Sequence, residues 1–422
     1  MILSRRTLIA AASTLPLVGA RAQATKPTLK IGCLTDLSGP YKDLAGPGAI
    51  AAIHQALADF GISDKGFNVE VLSADHQNKP DVGATVVRQW FDRDGVDLVL
   101  EVANSGVALA VAGIAKEKNA VAGIAKEKNK AYINTGAATS DLTGASCNAN
   151  TIHWVYDTYM LAQSTGGAMV KAGGTSWYFI TADYAFGHAL QRDTTSFVTA
   201  AEGKVVGSIA YPFPGTTDFS SYLIGAQASG ANVLGLANAG TDLINSIKQA
   251  KEFGIKMQLA GLLLFLTDVH SLGLETAQGI VLTDSFYWDM NDRSRAFSNR
   301  IAPAMKGCAP NHGTGWRLLS RAALSESRRG DGAGAGQARW CGNDRAPQGD
   351  ADRRRLLRSR LNPRRWTQDP PGLSVGGQEA VRKQGAVGLL QAARYHPGRS
   401  GVPSAGQRRL PPGPSLTIRI QK

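Results

Sequence analysis

Short apolar runs alternate with amphipathic stretches from residue 26 onward. Runs such as KIGCLTD, VEVLSAD and VDLVLEVA are typical of buried strands, whereas GAIAAIHQALADFG and PDVGATVVRQWFDRDG have helical spacing. The same alternation restarts after CNANTIHWVYDT, with SWYFITAD, KVVGSIAYP and ANVLGLANAG as further strands. Because consecutive parallel strands are joined by helical crossovers, this pattern predicts an α/β fold of two Rossmann-like lobes with parallel sheets.

The start of the chain has the pattern of an export signal. Arg5 and Arg6 precede a short apolar run and a small-residue end, AQA. SRRTLI resembles a twin-arginine signal, so either the Sec or the twin-arginine route would deliver the chain to the periplasm. The predicted parts are a signal peptide (1–24), a first lobe (25–145), a second lobe (146–272), a crossover back to the first lobe (273–311) and a basic tail (312–422).

The positive charge of the chain is confined to its last part. The whole sequence has 46 Lys and Arg against 33 Asp and Glu. Residues 307–422 contain 19 Arg, 2 Lys and only 7 acidic residues, so the preceding part is close to neutral. The tail carries no nucleic-acid-binding motif, and its Gly and Pro content without periodicity predicts disorder. We therefore expect no nucleic-acid partner.

One decapeptide occurs twice in succession. AVAGIAKEKN spans residues 110–119 and is repeated unchanged at 120–129. Ten residues rotate a helix face by roughly 80° out of phase, so the second copy cannot continue the buried stripe of the first. We interpret it as a duplication that lengthens a helix or bulges outward.

The sequence lacks the patterns of an enzyme active site. It has no G-x-S-x-G, no H-E-x-x-H and no P-loop, and its seven His residues are scattered. Four Cys residues are too few for a disulfide scaffold or a metal site, and buried thiols or one bridge explain them. We predict a non-enzymatic protein without a metal or cofactor.

Small polar residues recur where the predicted strands end. The loops are TDLSGPY, ANSG, NTGAATSD, TADYAFG and ANAGTD. In open α/β sheets, ligands bind outside the carboxyl ends of the strands, and helix N-termini there suit a carboxylate. Ser105, Ala138 and Thr139 are placed for such anion capture, whereas Tyr184 and Phe186 could close over an apolar body.

Several of these segments resemble one family closely. KIGCLTDLSGPY, INTGAATSDLTG, FITADYAFGHAL and YPFPGTTDFSSYL are similar to the periplasmic substrate-binding proteins of branched-chain amino acid type ABC importers. The resemblance implies a monomeric Venus-flytrap that closes on a small ligand and delivers it to a membrane permease. It implies these ligand-binding residues: Ser105, Gly136, Ala137, Ala138, Thr139, Tyr184, Phe186, Asn238 and Asp242.

The chain departs from this family at one functional position. Amino acid binders hold the ligand ammonium with an acidic residue after a later strand, but AGLLLFL at residues 260–266 contains no acid. An aromatic or other organic carboxylate, or an amide of the urea type, is therefore as well supported as an amino acid. A sensor or receptor domain of the same fold is the alternative function.

The tail departs from the family altogether. If each codon is read one base late, RRWTQDPPGLS at residues 364–374 can encode VDGRKIHPAYL, which resembles the family's closing segment. With the same offset, residues 384–404 can encode KGPWDYYKLLVTIPADQAFRP. We infer a single-base frameshift near Asn311 and His312. The chain as written, with its out-of-frame tail, is then expected to fold poorly or to lack function.

Overall fold

The computed structural model describes residues 26–120, 130–289, 291–305 and 416–419. The predicted signal peptide, the second decapeptide apart from Ala120, and the tail apart from residues 416–419 lie outside these ranges. The described residues form two separate sheets, one of five strands and one of six. The chain thus has the two α/β units that the alternation of strands and helices predicts.

The first sheet is entirely parallel, in the order β2-β1-β3-β4-β5. Because the strands are parallel, each connection that contains a helix carries the chain from the end of one strand back to the edge of the sheet where the next strand begins. The strands are β1 (Thr28–Thr35), β2 (Asn68–Asp75), β3 (Leu98–Glu101), β4 (Ala131–Asn134) and β5 (Thr151–His153). The helices are α1 (Gly46–Phe60), α2 (Pro80–Gln89) and α3 (Ser105–Ala120).

Side chains of the first sheet alternate between two cores. Ile31 and Cys33 of β1 pack on one face, together with Ile53 of α1. Leu34 points to the other face, where it packs with Val107 of α3. Successive residues of a strand point to opposite faces, so a strand covered by helices on both sides is apolar throughout. This explains why the strand segments read as continuous apolar runs.

The second sheet has the order β11-β10-β9-β8-β6-β7, and only β11 is antiparallel. All five residues of its central strand β8 are buried. The strands are β6 (Ser176–Ala182), β7 (Lys204–Tyr211), β8 (Val233–Ala237), β9 (Gln258–Gly261), β10 (Val281–Asp284) and β11 (Leu416–Arg419). The helices are α4 (Thr158–Leu161), α5 (Gly167–Lys171), α6 (Ala185–Ala200), α7 (Ser220–Ala228), α8 (Gly240–Glu252), α9 (Leu266–Leu272) and α10 (Leu274–Ala277).

Each sheet reaches past the residue at which its lobe is predicted to end. β5 pairs with β4, so the first sheet extends beyond residue 145, and β10 pairs with β9, so the second sheet extends beyond residue 272. The return crossover ends in α11 (Asp292–Ile301), which packs against α1 through Phe297 and Ile301. Both strands are only three or four residues long, too short to be recognised by alternation alone.

A short strand also occurs within the predicted disordered tail. β11 pairs with β10 in register from Val281 opposite Arg419 to Asp284 opposite Leu416. LTIR alternates apolar and polar residues, which is the pattern of a strand that the composition of the tail concealed. The structure therefore differs from the expectation of disorder at these four residues. None of the helices in the described ranges is both long enough and apolar enough to cross a membrane.

Close packing of α6 on β6 provides a test of this fold. A Cβ at Gly187 would lie 2.0 Å from the carbonyl oxygen of Ala182, whereas a Cβ at the helical Gly167 would meet nothing within 4 Å. We expect Gly187→Ala to lower the free energy of unfolding by roughly 2 kcal/mol or more because the backbone must shift. Gly167→Ala should leave it unchanged or raise it by up to about 1 kcal/mol.

Denaturant unfolding of the two variants measures both effects. Equal stability of the Gly187→Ala and wild-type proteins would contradict the described contact between α6 and β6.

Candidate functional site

A cavity lies between the two lobes where their strands end. It contains about 230 Å³ of empty space, part of which is open to solvent. Every lining residue follows the carboxyl end of a strand, and none carries a charge. The lining residues are Tyr41, Leu44, Ala103, Gly136, Ala138, Tyr156, Tyr184, Phe186, Ala239 and Leu263.

One side of this cavity, called here the polar side, adjoins the N-terminus of α3 through the lining residues Ala103 and Ala138. Ser105 is the first residue of that helix, and its Oγ accepts a hydrogen bond from the Thr139 backbone N–H at 3.3 Å. The preceding residue, Asn104, caps the helix by accepting from the Val107 N–H at 3.1 Å. A helix N-terminus carries partial positive charge, so this side of the cavity favours an anion. The predicted cluster of Ser105, Ala138 and Thr139 is brought together here.

The opposite side is aromatic and joins the lobes. The hydroxyl groups of Tyr41 and Tyr184 lie 2.5 Å apart. Phe213 stacks on both rings, with centroid distances of 4.3 Å to Tyr184 and 5.5 Å to Tyr41. The Thr241 N–H donates to the carbonyl of Pro40 across the same contact at 3.1 Å. Burial raises the pKa of both tyrosines, so these hydroxyls are neutral donors and acceptors at neutral pH.

Five predicted site residues are not among the lining residues, and two of them adjoin the wall. Ser105 and Thr139 are buried, and they follow the lining residues Ala103 and Ala138 closely in the chain. Both belong to the polar side through their mutual hydrogen bond.

The other three do not line the cavity, although Asp242 is close enough to Tyr41 and Tyr184 to influence their pKa. Ala137 is 1% exposed, and its side chain packs in the core of the first lobe. Asp242 lies deeper, where its Oδ2 accepts from the Tyr211 hydroxyl at 2.9 Å. Asn238 donates to the Ser246 hydroxyl at 3.3 Å. In this loop the cavity is lined by Ala239, because α8 begins immediately afterwards and turns the flanking side chains inward.

Six lining residues were not among the predicted ones. Tyr41, Ala103 and Ala239 belong to loops that the sequence analysis named as candidates. The sequence therefore indicated the loops but not these three residues. Tyr156 lies in a crossover, and its hydroxyl donates to the carbonyl of Gly136 at 2.8 Å. The remaining two, Leu44 and Leu263, carried no polar signal. Leu263 lies in the segment that lacks the expected acid.

A buried glutamate lies directly behind the polar side. Glu101 is 0% exposed, and its Oε2 accepts from the Thr135 hydroxyl at 2.6 Å. Its Oε1 has no hydrogen-bond partner among the described residues. Burial raises the pKa of Glu101 to about 7. The backbone at Glu101 and Val102 has φ of 80° and 67°, a left-handed conformation that is unfavourable for both residue types.

Asp268 and Asp284, on either side of the start of the return crossover, are also buried acids. Burial raises the pKa of Asp268 to about 7 and that of Asp284 to about 8. Asp268 accepts from the Phe265 N–H at 2.9 Å and thereby caps α9, so it does not replace the missing acid in the cavity wall. Asp284 Oδ1 accepts from the Phe286 N–H at 3.1 Å, whereas its Oδ2 has no partner in the described part of the chain. Burial likewise raises the pKa of Asp242 to about 6.

Within the described ranges, no group of three or more His, Cys, Asp and Glu side chains could hold a metal ion. Cys33 is a buried free thiol, and Cys147 is disulfide-bonded. The residues that line the cavity offer tyrosine hydroxyl groups and apolar surface.

Comparison with known proteins identifies the family. The family model described as periplasmic binding protein matches residues 28–317. The chain belongs to this family. Its structural relatives include binding proteins of branched-chain amino acid ABC transporter type. The match ends shortly after Asn311 and His312, where we infer the frameshift, and the frameshift itself stays a prediction.

Two solved structures from Burkholderia are similar over most of the chain. A periplasmic binding protein from Burkholderia mallei is 45% identical, covering 73% of this chain and 81% of that one, with a TM-score of 0.67. A branched-chain amino acid ABC transporter ligand-binding protein from Burkholderia xenovorans is 38% identical, covering 70% and 77%, with a TM-score of 0.59.

A more distant relative shares the fold. A solute-binding protein from Rhodopseudomonas palustris, solved in complex with benzoate, is 22% identical, covering 74% of this chain and 85% of that one, with a TM-score of 0.64. The comparison with curated proteins finds no match.

The buried acids make stability depend on pH. Folding raises the pKa of a buried acid above the value of about 4 that it has in the unfolded chain. The stability that the protonated acid allows is complete below the unfolded pKa and is lost as the pH rises through the folded pKa. For Asp284 that value is about 8. When the pH is raised from about 5.5 to about 8.5, the free energy of unfolding should fall for wild type. For Asp284→Asn we expect a smaller fall, by on the order of 2 kcal/mol.

Denaturant titrations at the two pH values measure this difference. Asp218→Asn is the control, because Asp218 is exposed and its pKa is lowered by hydrogen bonds from Ser220. The stability that Asp218 contributes is lost only in acid. The change in unfolding free energy between the two pH values should therefore be the same for Asp218→Asn as for wild type. Equal changes for wild type and Asp284→Asn would show that Asp284 does not titrate as a buried acid.

Proposed function

We propose that this chain is the periplasmic solute-binding component of an ABC importer, and that it captures an apolar organic carboxylate without chemical conversion. The observation that carries this proposal is the two-sided cavity. The N-terminus of α3, where Ser105 and Thr139 are hydrogen-bonded, adjoins the cavity behind Ala103 and Ala138, and Tyr41 and Tyr184 form an aromatic part of its wall. The ligand would be passed to a membrane permease.

The cavity wall favours an aromatic acid over an α-amino acid. Leu263 lies 4% exposed where an amino acid binder needs an acidic residue, and no lining residue is charged. An ammonium group buried there would have no counter-ion among the lining residues, because Glu101 and Asp242 lie behind the wall and burial raises the pKa of both, and this lack costs several kcal/mol. A flat apolar ring beside Tyr184 and Phe186 would lose nothing of this kind and would gain stacking contacts.

Titration calorimetry with benzoate and with leucine tests this function on the chain whose reading frame is restored after Asn311, so that the aberrant tail does not decide the result. We expect benzoate to bind with one site per chain and more tightly than leucine. Ser105→Ala should weaken benzoate binding by roughly tenfold or more, since a hydrogen bond to a charged group contributes about 1.5–3 kcal/mol. Ser271→Ala is the matched control, because that hydroxyl is exposed on α9 and donates to the Thr267 carbonyl, away from the cavity.

Two results would contradict the proposal. One is the absence of saturable binding by either probe, and the other is chemical conversion of the probe during incubation. Tighter binding of leucine than of benzoate would contradict the ligand class alone.

A further inference from the structure

Glu101 lies directly beneath the anion side of the cavity. A Cβ at Gly136 would lie 2.5 Å from Glu101 Oε1 and 2.8 Å from the Cα of Ala103. Gly136 and Ala103 both line the cavity. Glu101 Oε1 is therefore separated from the cavity by the backbone of Gly136 and Ala103, and Glu101 is not one of the lining residues.

Among the described residues, no positive side chain holds Glu101 ionised. Cys33 approaches from β1, Tyr132 from β4 and Tyr156 from the crossover, and burial raises the pKa of each, so they are neutral. His153 on the neighbouring β5 has its pKa lowered by burial and is neutral as well. The favourable partners that remain are the Thr135 hydroxyl and the N-terminal dipole of α3.

That dipole is the same one that a bound carboxylate would use. A ligand anion beside Ser105 and an ionised Glu101 behind Gly136 would be two like charges in a site of low dielectric, sharing one source of positive potential. Each would disfavour the other. The protonated form of Glu101 avoids this repulsion, and Oε1, which accepts no hydrogen bond from the described residues, can carry the proton.

We propose that Glu101 is a proton-linked positioning residue: it must hold a proton for a carboxylate to occupy the N-terminus of α3, so capture of an anionic ligand takes up a proton. The proposal rests on the proposed function and adds to it a linkage between ligand charge and pH. Release of the ligand then returns the proton.

Calorimetry with benzoate, which stays ionised throughout, tests the linkage on the full chain. Affinity of wild type should fall about tenfold between about pH 6 and about pH 8.5, because deprotonation of Glu101 opposes the anion. Glu101→Gln keeps the shape and cannot ionise, so its affinity should change by less than about twofold over this range. Asp284→Asn removes a different buried acid and should keep the wild-type pH dependence.

A second variant keeps the test valid if Glu101→Gln does not fold. Thr135→Val removes the hydrogen bond that favours the ionised carboxylate. The fall in affinity should then begin at a higher pH than in wild type. A role of Thr135 in structure alone would change affinity equally at all pH values.

The outcomes separate this inference from the proposed function. The linkage would be overturned, and the function left intact, if benzoate binding had the same pH dependence in wild type and Glu101→Gln. The same holds if Asp284→Asn reduced the pH dependence of binding as much as Glu101→Gln does. An unshifted pH profile in Thr135→Val would also overturn it. No binding of benzoate by any of the proteins at any pH would overturn the proposed function, and the linkage with it.

Discussion

Parallel pairing of the strands brings the carboxyl ends of β1 to β5 to one edge of the first sheet and those of β6 to β10 to one edge of the second. All residues that line the cavity follow such an end. The helices that start there direct their N-termini toward the same space. The position of the cavity is therefore a consequence of strand direction, and backbone dipoles are its source of polarity beside the tyrosine hydroxyl groups, since no Lys or Arg is among its lining residues.

This origin explains which parts of the site the sequence could indicate. Ser105 and Thr139 stand out because small hydroxyl residues directly follow apolar strands, and the two lobes follow from repeated strand and helix patterns. Tyr156 could not be located because its place depends on how the chain crosses from β5 to α4. Asn238 and Asp242 are polar and close in sequence to Ala239, but the start of α8 decides which of the three faces the cavity.

Glu101 shows a different limit of sequence analysis. A single acid at the end of a strand has the appearance of a solvated residue, and only the packing of Cys33, Tyr132 and Tyr156 around it reveals that it is fully buried. Burial without a counter-ion then determines its protonation. The same physical cause acts on Asp268 and Asp284. Each of these acids is expected to make the protein less stable as the pH rises, and Glu101 lies behind a wall of the cavity.

Gly136 illustrates how tightly this arrangement constrains later change. Its missing side chain leaves the space that Glu101 Oε1 occupies, at 2.5 Å from where a Cβ would be. A Cβ at position 136 would also lie 2.8 Å from the Cα of Ala103, so a larger residue there needs space from the side chain at position 101 and from the backbone after β3. A change at position 101 alone therefore does not open position 136 to substitution, and a lineage that diverges from this protein keeps glycine there as long as the loop after β3 keeps its path.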